Sequence, residues 1–296
     1  MNRRLQADLC IIGLSAIWGC TFVVVKSALA DISPMLFITI RFCAAALPLY
    51  FLVPRGAFST APVLPTLAGG FVTGLMLFAG FAFQTVGIQF TTPARAAFIT
   101  AMYIIFTPLM SIALRLRPPT AASFCGAVLA ITGLYFLTGV GRSGGGFGYG
   151  ELLILLAALA FSAHLLAVDH YTRRHDKRTI AFLQVAVVGV LGIGPTALFE
   201  QPRFVPTPGL FGALAVTSIL ATAVAFFVLN IVQSWTTPTR AAVIFAAEPV
   251  FAAVTSWLVE REVLTGGALF GALLILAGVL TTELGPPGRR ETEPAL

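Results

Sequence analysis

Thr91-Thr92-Pro93-Ala94-Arg95-Ala96-Ala97-Phe98-Ile99 returns as Thr236-Thr237-Pro238-Thr239-Arg240-Ala241-Ala242-Val243-Ile244, with seven of nine positions identical. The offset from Thr91 to Thr236 is 145 residues, and without a gap it also pairs Asp31 with Asp176, Phe37 with Phe182, Gly126 with Gly271 and Gly133 with Gly278. The chain is therefore one unit written twice. Both copies are strongly apolar, and a duplicated apolar unit is the sequence signature of a membrane carrier.

Composition excludes a water-soluble domain. Of 296 residues, 58% are hydrophobic and 10% charged, with a mean hydropathy of +0.94. Soluble domains carry about 25% charged residues. A spanning helix takes about 20 apolar residues, so ten would use roughly 200 of the chain. The net charge of +6 is spread singly between apolar runs, so it builds no basic face for nucleic acid. Cys10, Cys20, Cys43 and Cys125 all lie in apolar runs without CxxC spacing and read as packing residues. Leu9 to Val25 is too long for a signal core and opens a series of further apolar runs.

Ten helical runs are expected, near 9–29, 34–53, 65–88, 94–114, 120–140, 150–171, 179–199, 208–233, 237–258 and 265–284. Thr92-Pro93 and Thr237-Pro238 each place a capping Thr before a Pro at the first helical position. Seven glycines among residues 139–150 mark a linker between the copies. The division is a first repeat over 1–140, a linker over 141–149, a second repeat over 150–284 and a tail over 285–296. Five spans per copy is an odd number, so the second copy enters the membrane from the opposite side. The fold class is all-α integral membrane, with ten transmembrane helices in two inverted five-helix repeats. With the N-terminus inside, twelve Arg and Lys fall on inner segments and five on outer ones, which predicts both termini cytoplasmic.

Trp18-Gly19-Cys20-Thr21-Phe22 leading to Lys26, Pro34 and Phe37 preceding Arg41, Glu248-Pro249-Val250-Phe251-Ala252-Ala253, and the Gly271–Val279 run stand in order along the chain. Together they resemble the EamA-type branch of the drug/metabolite transporter superfamily, over about Leu9 to Leu284. The resemblance implies an inner-membrane secondary transporter that exports small metabolites, commonly amino acids, or drug-like compounds. The family often has Gly-Glu after its fourth and ninth spans. Here the ninth is followed by Arg261-Glu262, and Arg117 holds the matching place in the first copy.

Six residues are candidates for binding substrate. Glu248 lies about eleven residues into its span, so about 16 Å deep, where a carboxylate usually faces a cavity or a partner. It would bind an amine or carry a proton; the alternative is a protonated Glu bridging helices. Arg41 is about 10 Å deep from the other side. It either meets Glu248 or a substrate carboxylate, or snorkels to outer headgroups. Tyr103 is the repeat counterpart of Glu248 and either faces it across the pathway or is an aromatic packing residue. Trp18, Phe22 and Lys26 share one helix face, either lining a cavity or packing with Lys26 at the outer surface. Gln84 and His164 are mid-span polar residues, interhelical bonds or cavity lining, and His164 in water would suit a proton relay.

Asp169, His170, His175 and Asp176 surround a basic run and read as a solvated loop rather than a metal site. Gly144–Gly148 lacks the Lys and Ser/Thr of a phosphate loop. No cofactor is expected; the partners are the lipid bilayer and a small-molecule metabolite, with proton coupling open through Glu248 or His164. The reading is an alternating-access exporter with its site between the units. Rival cargoes are hydrophobic cations or drugs, nucleotide sugars and lipid-like molecules. Rival classes are a non-transporting membrane subunit and an intramembrane enzyme, though no HExxH, GxSxG or paired catalytic carboxylates occur.

Overall fold

A computed structural model describes residues 3–57, 63–116, 119–138, 148–260 and 265–285. Most of the Gly-rich linker, the Arg117-Pro118 step, Arg261-Glu262 and the tail beyond Gly285 lie outside the described residues. Every regular element described is helical, and the one extended pairing among them is an isolated bridge between Ile32 and Phe204.

The first copy holds α1 (Arg3–Ala28), α2 (Pro34–Tyr50), α3 (Val63–Gly87), α4 (Pro93–Thr100), α5 (Tyr103–Ala113) and α6 (Ala121–Thr138). The second holds α7 (Tyr149–Thr172), α8 (Lys177–Leu198), α9 (Pro208–Ala215), α10 (Ala225–Val232), α11 (Pro238–Phe245), α12 (Glu248–Glu260) and α13 (Gly266–Leu284). Among the described residues seven helical stretches are long and apolar enough to cross a membrane; α2, α6 and α13 are shorter apolar helices. Large apolar side chains face outward, such as Phe51, Leu64 and Phe199 at 75%, 77% and 82% exposure. In water that surface would drive aggregation; in hydrocarbon it is the normal exterior. The protein is a multi-pass membrane protein.

Three local features depart from the sequence reading. Helix α1 begins six residues before the apolar run, because its polar turns are paired: Arg4 donates to the Gly285 carbonyl at 3.0 Å, and Asp8 takes Arg240. The runs expected at 94–114 and 237–258 are each broken, at Ala101-Met102 and at Ala246-Ala247. Bonds to the third residue back tighten both breaks, from Met102 N to Ile99 O and from Ala246 N to Val243 O, each 3.1 Å. Between α9 and α10, residues Val216–Val224 wind as a π-helix.

The copies pack reciprocally. Helix α6 runs along α13, and α2 along α8, so counterparts meet. Helix α3 packs on α7, and in exchange α1 packs on the α9–α10 stretch; α4 and α5 touch α7 as α11 and α12 touch α1. The seam between α6 and α13 repeats one contact twice. A Cβ on Gly133 would stand 2.5 Å from the Gly271 carbonyl oxygen, and one on Gly278 2.6 Å from that of Gly126. Small residues there let two backbones touch.

The same exchange fixes the two ends of the bundle. At one end, Lys26 donates to the carbonyls of Ile88, Gln89 and Thr91 at 2.6, 3.0 and 3.1 Å. At the other, Arg173 donates to those of Ser234 and Thr236, the counterparts of Gln89 and Thr91, at 3.3 and 3.1 Å. A cation on the exposed carbonyls of a helix C-terminus is favourable. Glu151 lies at the first end and Asp8 at the second, with α1 running between them.

Candidate functional site

The two helix breaks decide where the polar core sits. Each ends one helix and starts another in the middle of the bundle, and the first residue after each is Tyr103 or Glu248. The Tyr103 hydroxyl donates to Glu248 Oε2 at 2.9 Å across 145 residues of sequence. A residue bonded to its own counterpart stands where the two copies face each other. Both side chains are buried. Glu248 opens the first turn of α12, where unpaired N–H groups favour a negative group. Pro249 follows it at a position where a missing N–H costs nothing.

This pair forms one wall of a cavity with about 770 Å³ of empty space, open solvent at its mouth included. The six residues singled out from sequence, Trp18, Arg41, Gln84, Tyr103, His164 and Glu248, all line it. They come from both copies. Aromatic rings make the rest of the wall. Trp18 stands 5.5 Å from Phe226 and 5.1 Å from Phe245, and Phe81 meets Phe161 edge-on at 5.3 Å.

Arg41 is 3% exposed, so it does not reach outer headgroups. Its hydrogen bonds run to the π-helical stretch rather than to Glu248: Nε donates to Thr222 Oγ1 at 2.7 Å and a terminal nitrogen to the Ala221 carbonyl at 3.2 Å. The guanidinium carbon sits 4.8 Å from the centre of the Phe81 ring. Trp18 Nε1 donates to the same Ala221 carbonyl at 2.9 Å. Thr222 in turn donates to the carbonyl of Thr217, five residues back, at 2.7 Å. The π-helix thus turns an acceptor inward for two cavity residues, as such bulges often do at functional sites.

Gln84 donates to Thr100 Oγ1 at 3.1 Å, and His164 Nε2 lies 2.7 Å from Gln184 Oε1. Trp18 and Phe22 line the cavity from one face of α1, while Lys26 lies beyond it, partly exposed, and donates to the carbonyls at that end of the bundle. Asp169 and His170 lie in the last turns of α7 rather than in a loop, and these acidic and histidine residues have other tasks. Asp169 pairs with Arg173 at 2.6 Å, Asp176 caps α8 through Thr179 N at 2.9 Å, and His175 Nδ1 lies 3.0 Å from Thr66 Oγ1. Sequence reasoning missed Ala221, Thr222, Thr100 and Gln184. The one signal was Thr217 and Thr222 inside an apolar run, where a hydroxyl can bond the backbone and bend a helix.

Comparison with known proteins agrees with this architecture. The model of the EamA-like transporter family matches twice, over residues 5–139 and 148–283. An uncharacterized transporter of Archaeoglobus fulgidus is 37% identical over 287 residues, covering 95% of this chain and 87% of its own. A probable amino-acid metabolite efflux pump of Salmonella typhimurium is 27% identical, covering 93% of each chain. A protein of known crystal structure aligns with a TM-score of 0.75 at 19% identity, over 93% of this chain and 96% of its own.

Proposed function

The chain belongs to the EamA-like transporter family, and on that premise we propose an inner-membrane exporter of a small amphipathic metabolite such as an amino acid. The same reading takes ten spans, in inverted five-helix repeats over 1–140 and 150–284, with both termini cytoplasmic. Substrate sits in the central cavity, and the repeats rock about it so that the cavity opens to one side at a time.

The observation that carries this reading is the Tyr103–Glu248 bond, a carboxyl placed where the repeats meet and facing an aromatic cavity. Glu248 would take a substrate ammonium or a proton, and Arg41 a substrate carboxylate. Alternating access would give each group a different environment in the two conformations, which a carrier needs to couple flux to a gradient. The amino-acid cargo is consistent with the name of the Salmonella typhimurium relative. A hydrophobic cation would also suit aromatic walls and one acid, but Arg41 in the same cavity opposes it.

Liposomes reconstituted with the protein and loaded with an amino-acid mixture test the proposal. Selective release is expected, and its loss in Glu248→Gln, whose shape is nearly unchanged. Retention of the whole mixture by wild-type protein, or normal release by Glu248→Gln, would overturn it.

A further inference from the structure

Among the described residues two ion pairs join the copies, one at each end of the bundle, and their arginines are related by the repeat. Arg95 and Arg240 are counterparts, each in the first turn after a Thr-Pro cap. Each reaches across to an acid near the start of the other copy's first helix: Arg95 to Glu151 of α7, and Arg240 to Asp8 of α1.

The two pairs are in different states. Arg240 grips Asp8 with two nitrogens, at 2.9 and 2.6 Å, and also bonds the Thr282 carbonyl. Its side chain and that of Asp8 are 3% and 1% exposed. Arg95 stands 3.5 Å from Glu151, with side chains 22% and 7% exposed, and Glu151 takes its short bond from Thr91 at 2.6 Å.

The surroundings differ in the same sense. All eight residues of α11 are buried, whereas Pro93, Arg95 and Phe98 of α4 are partly exposed. The cavity follows. On α1 it is lined by Trp18, Thr21, Phe22 and Val25, and at the end of α3 and just beyond it by Gln84, Thr85 and Ile88, toward the Glu151 end, while His164 of α7 and Phe226 of α10 line it deeper in the bundle. Toward the Asp8 end, Ala7, Ile11, Leu14, Ala241 and Ile244 fill the space as packed core.

We propose that Asp8–Arg240 and Glu151–Arg95 are the two latches of the transport cycle, one closing each end of the cavity. This rests on the carrier function proposed above. In the structure the Asp8 latch is shut and the Glu151 latch is slack. Exchange of the two environments would shut the second and release the first, with the cavity turned to the other side. Buried, the shut pair is held by desolvated charge attraction; once water enters, screening makes the same pair easy to part. Each latch therefore reinforces whichever state already excludes water from it. Two latches of like chemistry keep the states close in free energy, so a modest difference in substrate affinity shifts the population.

Single-cysteine reporters in the purified full chain, with the four native cysteines replaced, test this without substrate. Leu14→Cys reports the Asp8 side, and Val25→Cys the Glu151 side. A hydrophilic maleimide is expected to label Val25→Cys about tenfold faster than Leu14→Cys, a preference of the size a modest state bias gives. Asp8→Asn should speed Leu14→Cys and slow Val25→Cys; Glu151→Gln should not speed Leu14→Cys. The charge exchange Asp8→Arg with Arg240→Asp should return both rates to wild type. If Asp8→Asn does not fold, Asp8→Glu keeps the charge and lengthens the arm, with the same direction expected. Unchanged rates in the Asp8 variant, or both reporters speeding together, would overturn the proposal. Labelling needs no cargo, so opposed rates together with normal release by Glu248→Gln would remove the substrate assignment and leave the latches standing.

Discussion

Helices α4 and α11 begin with the same capped motif, Thr-Thr-Pro-x-Arg-Ala-Ala, and their local structure is the same. Thr92 accepts from Arg95 N at 3.3 Å and Thr237 from Arg240 N at 3.2 Å, and each helix stops at a break before the cavity. Their surroundings are not the same, since α11 is buried throughout and α4 is partly open. Nearest-neighbour chemistry thus fixes cap, break and direction, while the partner copy fixes burial. Two copies of one unit in unequal settings are what a carrier needs if it is to face one side at a time.

The sharpest way to break this comparison lies at its centre. Glu248→Gln should lower transport by at least about a hundredfold, since it removes the ionisable group that would differ between states. Tyr103→Phe should cost about tenfold, because it removes one donor and leaves the acid. Initial rates of release from liposomes measure both, and equal losses would mean that the pair acts only as a strut.

Next in size is the inequality of the two ion pairs. Arg240→Ala should destabilise by about 3 kcal/mol or more, since it leaves Asp8 buried and unpaired. Arg95→Ala should cost about 1 kcal/mol or less, because its pair is looser and reached by solvent. Melting in detergent measures both, and equal losses would erase the asymmetry between the ends.

The α6–α13 seam makes the opposite prediction, that of equality. Gly133→Ala and Gly278→Ala each push a methyl onto a backbone carbonyl, so each should cost about 1–3 kcal/mol, and by similar amounts. Gly13→Ala meets nothing within 4 Å and should be neutral or slightly stabilising. Thr92→Ala and Thr237→Ala should cost about 1 kcal/mol each for a lost cap, read by the same melts.

Much of this was legible in the sequence, for reasons that can be named. The 145-residue repeat paired Tyr103 with Glu248 because an offset is read directly from identities. Mid-span charge pointed to Arg41 and Glu248 because hydrocarbon makes such residues expensive. Illegible were the breaks at Ala101-Met102 and Ala246-Ala247, where runs of Ala, Met and Phe favour a continuous helix. The π-helix over Val216–Val224 was equally hidden, since periodicity averages over one extra residue per turn. The Asp8–Arg240 pair was invisible for a third reason: its partners are separated by 232 residues, and Asp8 is matched in the repeat by Leu153, not by an acid.

The bond between Tyr103 and Glu248 also bears on ancestry. If the five-helix unit once worked as a pair of identical chains, whatever residue stood at this position met itself. Two glutamates there would repel, and two tyrosines would offer no charge. Once the two units are separate copies rather than one chain used twice, the position can hold an acid on one side and its donor on the other. Duplication would then have been the step that let a symmetric shell acquire a handed centre, and later changes on either side of that contact would no longer have been mirrored on the other.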